Sequence, residues 1–326
     1  MPHGEFGIYL SATSTQEMLV VLGMAWAIDL LFGEPPYWMH PVVWLGRSVD
    51  AVLAWAPRNG WWSPFLFGMA LTLVSCAAVA SASWLLLAWA GRWTAVHLLI
   101  SVWLLKASFA CRALRDAADD VENCLQNEDI EAARQALRSL CSRDASSLDE
   151  TELRSASMQS LAENSSDSIV APLLYYSFFG IAGAVVYRTI NTLDAMIGYR
   201  GPYEALGKFA ARLDDVANWI PARVTAGLIL AAAWLSGLES RVGWAILCRD
   251  GGNTPSPNAG RPMAALAGVL RVQLVKKNAY RLGDPVRSID SDRFRQCRSL
   301  CGLVAWLSLL LAATVIVLSR SSVRLA

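Results

Sequence analysis

The sequence predicts an all-α, polytopic integral membrane protein with a helical cytoplasmic insert. Three observations predict it. Of 326 residues, 55% are apolar and only 17% are charged, whereas a soluble domain carries roughly 25% charged residues. Several apolar segments are too long for a soluble core, and mean hydropathy is +0.36. Fourteen tryptophans suit the boundaries between water and hydrocarbon.

Residues 18–32 are apolar but short for a span, and Asp29 lies near their end. Gly33-Glu34-Pro35-Pro36 stops them. Residues 37–63 mix Pro, Trp and Arg as an interfacial stretch does. Residues 65–90 exceed the ~20 needed to cross a bilayer, and 94–110 form a shorter candidate interrupted by Lys106. From Cys111 the composition turns polar and acidic, with apolar positions 114, 117, 118, 121 and 125 at helical spacing. Asn127 is expected to cap a second helix, and Ser147-x-x-Glu150 to form a capping box that opens a third, running toward Glu163. Residues 111–165 thus read as a helical extramembrane insert in a single integral-membrane domain, 1–326.

Residues 168–190 are apolar again but broken by Gly180 and Gly183. Residues 191–223 are polar, with Arg200, Lys208, Arg212 and Arg223. Residues 224–235 are apolar, 249–262 are a loop rich in Gly, Pro and Asn, 261–298 are strongly basic, and 300–318 are the cleanest final span. Basic loops at 188–223 and 271–298 place both stretches, and a site near them, on the cytoplasmic side of the cytoplasmic (inner) membrane. Putting 111–165, 191–223 and 249–298 all on one side conflicts with simple alternation. A broken or re-entrant element is therefore expected within 168–190 or 224–247.

Other classes are excluded. A net charge of +1 offers no electrostatic case for nucleic acid. The seven cysteines form no CxxC pair, and none of the three histidines lies near one at zinc-ligand spacing, so the thiols read as free. No P-loop, Gly-x-Gly-x-x-Gly or Gly-x-Ser-x-Gly motif occurs. No basic n-region precedes an apolar h-region, so no cleaved signal peptide is expected.

Three short clusters remain: Glu163-Asn164-x-x-Asp167, Asn191-x-x-Asp194 and Asp214-Asp215-x-x-Asn218. An ionised group in or near hydrocarbon costs several kcal/mol, so a membrane protein keeps such groups at a function. Four-residue spacing on a helix turns both ends of a cluster to one face. Carboxylates with carboxamide oxygens are hard-cation ligands, and Mg²⁺ commonly takes one or two of them plus phosphate oxygens. Each cluster alone also reads as an N-cap or a solvated face; three around one apolar segment favour a site. Candidate metal ligands are Glu163, Asp194, Asp214 and Asp215. Candidate catalytic groups are Glu163, Asp167, Asp214 and Asp215. Arg143-Asp144 reads either as an exposed ion pair or as a phosphate clamp, and Ser256-Pro257-Asn258-Ala259-Gly260 either as a turn or as a ligand loop.

The segments together resemble the CbiB/CobD family of cobalamin biosynthesis. The resemblance rests on Asp29-Leu-Leu-Phe-Gly33-Glu-Pro-Pro followed by His40-Pro41-Val42, and on Ala162-Glu163-Asn164-x-x-Asp167. It extends through Tyr187-x-x-x-Asn191-Thr-Leu-Asp194-x-Met196-x-Gly198-Tyr199 and Arg212-Leu-Asp214-Asp215-x-x-Asn218-x-x-Pro221-Ala222-Arg223. Ser256-Pro257-Asn258-Ala259-Gly260 and Met263-Ala264-Ala265-x-Ala267-Gly268 complete it. It covers about residues 20–285. Glu34 stands where the family usually has Asp, Ser142-Arg143-Asp144-Ala145 replaces Gly-Arg-Asp-Thr, and Ser168 follows Asp167 in place of Gly.

The resemblance implies adenosylcobinamide(-phosphate) synthase activity. Such an enzyme joins the free carboxylate of adenosylcobyric acid to (R)-1-amino-2-propanol or its O-phosphate, with ATP as co-substrate and Mg²⁺. His40, Arg143, Asn164, Asn191, Asn218, Arg223, Ser256 and Asn258 are then candidate substrate contacts. Two rivals are a non-catalytic membrane sensor resembling AmpE-type proteins and a small-solute transporter. Retention of the acidic clusters disfavours the sensor. Polar groups at span ends, with no inverted repeat, disfavour the transporter. The oligomeric state stays open.

Overall fold

The computed structural model describes residues 14–199, 201 and 204–321; Arg200 lies outside them. Thirteen α-helices account for most of these residues. Helix α1 (Thr15–Phe32) starts at Ser14, whose hydroxyl accepts from the Glu17 amide at 3.1 Å, and stops at Gly33, where φ is +72°. After a short 3₁₀ turn at Tyr37–Met39 come α2 (Pro41–Leu53), α3 (Trp62–Ala90), α4 (Thr94–Lys106) and α5 (Cys111–Gln126). Then follow α6 (Ile130–Leu137) and α7 (Glu150–Ser165). One turn of π-helix (Ser166–Val170) leads into α8 (Ala171–Ile197). Beyond it lie α9 (Glu204–Ala217), α10 (Trp219–Leu235), α11 (Ser240–Asp250), α12 (Gly260–Leu270) and α13 (Ser291–Ser321).

Five helical stretches among the described residues are long and apolar enough to cross a membrane: Thr15–Phe32, Trp62–Ala90, Thr94–Gln126, Glu150–Ile197 and Ser291–Ser319. These stretches keep large apolar side chains exposed, among them Val74, Trp84, Leu85 and Leu310, as a surface in contact with hydrocarbon would. The protein is a multi-pass membrane protein. The expected break is found within 168–190, and a further bend lies at residue 218, outside 224–247. Gly180 interrupts α8 with φ +66° and ψ −156°, a conformation cheap only for glycine. Helices α9 and α10 bend by 46° across Asn218.

The insert is joined to the spans rather than set apart from them. α5 carries on from α4, and α7 runs through the π turn into α8 as one 48-residue stretch. That stretch is not one straight rod: it turns back at Gly180, so that Tyr187 stacks on Tyr175 at 4.9 Å and its hydroxyl comes within 3.2 Å of the Asp167 carbonyl, where straight helix would separate the two residues by roughly 30 Å. The outer end of the insert packs through Val121, Leu125, Ala133, Leu137, Leu148 and Leu153.

Two caps fall two residues later than expected. Asn127 closes α5, its N–H bonding the Asn123 carbonyl. Glu128 turns the chain at φ +59°, which leaves Asp129 to cap α6 through the Ala132 amide at 2.9 Å. Likewise Ser147 lies in a turn, and the capping box of α7 is Asp149 with Glu152. The stretch from 261 is not uniformly an exposed basic loop: α12 is buried from Pro262 to Leu270 and joins the main core with α10 and α13. A two-stranded antiparallel hairpin, β1 (Leu274–Lys276) and β2 (Tyr280–Leu282), follows it with Leu274 opposite Leu282.

Candidate functional site

The three acidic clusters and the Ser-Pro-Asn loop meet in one cavity of about 280 Å³. Its wall includes Glu163, Asp167, Asp194, Asp214, Asp215, Asn218, Ser256 and Asn258, with Lys208 and Arg212 as cations. Glu163 lies in the last turn of α7. Asp167 is on the π turn, where the extra residue per turn re-aims side chains that an α-helix would send elsewhere. Asp194 is in the last turn of α8, and Gly198 just beyond has no room for a Cβ beside the Asp194 carboxylate.

Hydrogen bonds hold the clusters together. Asp214 accepts from Asn218 Nδ2 at 3.0 Å and faces Asn191 Nδ2 at 3.4 Å. The buried Tyr187 donates its hydroxyl to Asn218 Oδ1 at 2.7 Å and lies 3.2 Å from the Asp167 carbonyl. Tyr175 stacks on Tyr187 at 4.9 Å and donates to the Ala217 carbonyl at 3.0 Å. This pair fixes α8 against the bend at Asn218. Asn258, itself buried, donates to the Asp215 carbonyl at 2.7 Å. Ser256 Oγ accepts from the Asn258 and Ala259 amides at 3.2 and 3.4 Å, so the loop is rigid.

Asp214 lies within electrostatic reach of Glu163, Asp167 and Asp194, and Asp215 of Asp194 and Asp214. Six carboxylates, Glu204 among them, line one half-buried cavity and repel one another, and among the described residues only Arg212 ion-pairs with one of them, meeting Asp215 at 3.3 Å. Such a cavity is stabilised by entering cations. No three acidic, His or Cys side chains are arranged among the described residues as a complete ligand set for one ion. The expected four-acid ligand set is therefore not preformed. The donors present fit Mg²⁺, which takes one or two carboxylates and fills the rest of its octahedron with water and phosphate oxygens.

Other expected contacts lie off the cavity wall. Arg143 donates to Gln159 Oε1 at 2.8 Å, an oxygen that also accepts from Tyr280 at 2.8 Å. Asn164 bonds back to the Ser160 carbonyl of its own helix at 3.0 Å. Arg223 reaches Asn258 Oδ1 at 3.4 Å.

His40 belongs to a different cluster. Its Nδ1 accepts from the Val42 amide at 3.2 Å and its Nε2 meets Glu34 at 3.0 Å. That arrangement places the proton on Nε2. Glu34 then pairs with Lys106 at 2.9 Å, and Lys106 with Asp29 at 3.1 Å. Burial pushes the Glu34 carboxyl up, but the His40 hydrogen bond and the Lys106 charge outweigh it and hold the group below its ordinary value.

The sequence pointed to none of Glu204, Lys208, Gln159 and Tyr280 as site neighbours; the first two line the cavity and the others hold Arg143. Tyr187 opens the run Tyr187-x-x-x-Asn191-Thr-Leu-Asp194, and that position is the one signal of its role in the sequence. A larger cavity of about 660 Å³ opens between α2, α3, α4 and α8. It has no acidic wall residue, so it lacks the chemistry of the smaller one.

The chain is similar to known proteins along most of its length. The family model described as CobD/Cbib protein matches residues 22–296. A cobalamin biosynthesis protein CobD of Dehalococcoides mccartyi is 41% identical over 84% of this chain and 89% of its own. A probable cobalamin biosynthesis protein CobD of Methanothermobacter thermautotrophicus is 42% identical over 90% and 97%, and one of Pyrococcus furiosus 38% over 92% and 99%. No solved structure matches the chain.

Proposed function

The chain belongs to the CobD/CbiB family of cobalamin biosynthesis, and on that premise we propose that it is an ATP-dependent acid–amine ligase. It joins the carboxylate of adenosylcobyric acid to (R)-1-amino-2-propanol or its O-phosphate and gives adenosylcobinamide or its phosphate. The observation that supports this most is the gathering of Glu163, Asp167, Asp194, Asp214 and Asp215 around one cavity.

A free carboxylate is a poor acyl donor. Transfer of a phosphoryl group from ATP to its oxygen makes an acyl phosphate. The amine nitrogen attacks the acyl carbon, the C–O bond to phosphate breaks, and an amide remains. The amine enters as an ammonium and must lose a proton, so a carboxylate close to the nitrogen serves as base. Asp167 and Glu163 are assigned that role. Asp214 and Asp194 would hold Mg²⁺, which neutralises charge on phosphate oxygens. Asn191 and Asn218 orient Asp214 through the contacts above, and Lys208 and Arg212 face the charge that develops at the phosphoryl group. The site faces the cytoplasm, where both nucleotide and corrinoid are found, in keeping with the basic stretches 188–223 and 271–298.

The test is mass spectrometry of the purified protein incubated with adenosylcobyric acid, ATP, Mg²⁺ and each amine in turn. The expected result is a corrinoid heavier by the amine less one water. Folded protein that yields no such product with either amine refutes the assignment.

A further inference from the structure

Among the described residues, two guanidinium groups beside the acidic cavity have no carboxylate counter-ion. Arg223 lies over the Trp219 ring, 4.1 Å from its centroid, and donates to the Trp219 carbonyl at 2.6 Å. Arg261, the second residue of α12, is close enough that its charge acts on Arg223. The Arg261 Nε is buried without a hydrogen-bond partner. Among the described residues neither arginine forms an ion pair with a carboxylate. Nearby Arg212, Arg249 and Arg271 each do.

The backbone around the pair is bare. The Arg261 side chain runs along Gly251 and Gly252: a Cβ on Gly251 would meet its Cδ at 3.1 Å, and one on Gly252 its Nη2 at 3.9 Å. Helix α12 starts without a side-chain cap, so its positive end adds to the field. Asn258 ties the pair to the cavity, since its Oδ1 faces Arg223 and its Nδ2 holds the Asp215 carbonyl. Two half-buried like charges with an unmade donor raise the free energy of the ligand-free protein. An anion with several oxygens offsets both terms, and planar guanidiniums bind phosphate by paired N–H donors.

We propose that Arg223 and Arg261 form a phosphoryl-binding site on the rim of the acidic cavity, taking a phosphate group of the nucleotide or of a phosphorylated amine. The choice of these two ligands rests on the ligase reading; the anion site itself rests on the geometry. The acids and the arginines then divide the work, with cations on one wall and phosphate oxygens on the other.

Trp219 supplies a reporter, because an anion drawn to Arg223 changes the charge above its ring. The full chain in detergent, with EDTA to remove divalent ions, is titrated with inorganic phosphate, ATP and O-phosphorylated aminopropanol. Tryptophan fluorescence and calorimetry are read together. Wild-type protein should give a saturable response to at least one of them. Arg261→Gln and Arg223→Gln should each weaken it at least ten-fold. Trp219→Phe should lose the optical signal while calorimetric binding persists. A response to ATP alone or to the phosphorylated amine alone identifies the source of the phosphate. Arg261→Lys guards against misfolding: it keeps the charge, and intermediate affinity is expected. No saturable binding of any of the three by wild-type protein, or unchanged affinity in both Gln variants, overturns the site. Arg-dependent binding without amide product sinks the ligase reading alone. Normal amide formation with unchanged phosphate affinity in the variants sinks the site alone.

Discussion

Replacing Gly207 by alanine should uncouple the two walls of the cavity. Helix α9 carries Asp214 and Asp215 and is pressed between α3 and α8. At those contacts Gly68 faces the Leu206 carbonyl and Gly207 faces the Ile197 carbonyl. A Cβ on residue 207 would stand 1.7 Å from the Ile197 oxygen and 2.5 Å from its carbon. Both atoms are backbone, so no rotamer change relieves the clash. Opening the gap from 1.7 Å to at least 3.0 Å moves α9 by about 1.3 Å away from the end of α8, which carries Asp194. Metal–ligand distances tolerate about 0.2 Å, and a 1 Å misplacement can cost about 10²-fold in rate. Overpacking should cost about 1–3 kcal/mol, offset in part by the better helix propensity of alanine, about 1 kcal/mol. Gly227→Ala is the control, since nothing lies within 4 Å of its added Cβ. Amide formation is followed by mass spectrometry and stability by thermal melting in detergent. The expected result is a Gly207 variant that folds with modest loss of stability but turns over roughly a hundred-fold more slowly, beside an unimpaired Gly227 variant. Wild-type turnover in Gly207→Ala would refute the claim that this contact sets the cavity, and an equal loss in Gly227→Ala would refute its specificity.

Asp214→Asn and Asp215→Asn should each abolish amide formation while corrinoid binding, followed by visible absorbance, persists; normal turnover in both would remove them from the site. Lys106→Met should destabilise the protein by about 3–5 kcal/mol, because it leaves the fully buried Asp29 charge unpaired. Adding Asp29→Asn should recover most of that loss in chemical denaturation, and additive effects in the double variant would show that the pair is uncoupled. The Asp250 carboxyl is held below its ordinary value by the Arg249 hydrogen bonds, against burial and with help from the Gly283 amide. Its contribution to stability is therefore full above the unfolded carboxyl's pKa near 3.8 and is lost as pH falls through the lower folded value. Melting from pH 6 downward should show a shallower acid loss for Asp250→Asn than for wild type; parallel profiles would dismiss the linkage.

The sequence alone determined the fold class, because hydrocarbon admits only backbone that bonds to itself, and long apolar runs are legible one residue at a time. It also located the acidic clusters and the glycine break at 180, since one-turn spacing and a missing Cβ are local properties. The caps lie two residues beyond where spacing alone puts them, because neighbouring polar residues compete for the same amides and, at α6, the left-handed turn at Glu128 decides which wins. What only the tertiary structure decided is which local signals share a site. Glu163, Asp194, Asp214 and Ser256 sit on four separate segments and meet only because helices close at Gly68 and Gly207 and because Tyr187 bridges α8 to the bend at Asn218. Asp29, equally polar and equally part of a motif, is drawn instead to the buried ammonium of Lys106, and His40 joins that cluster only through Glu34. Spacing along the chain carries no information about such partners: a buried charge takes the counter-ion that packing brings within about 3 Å, however far away it lies in the sequence.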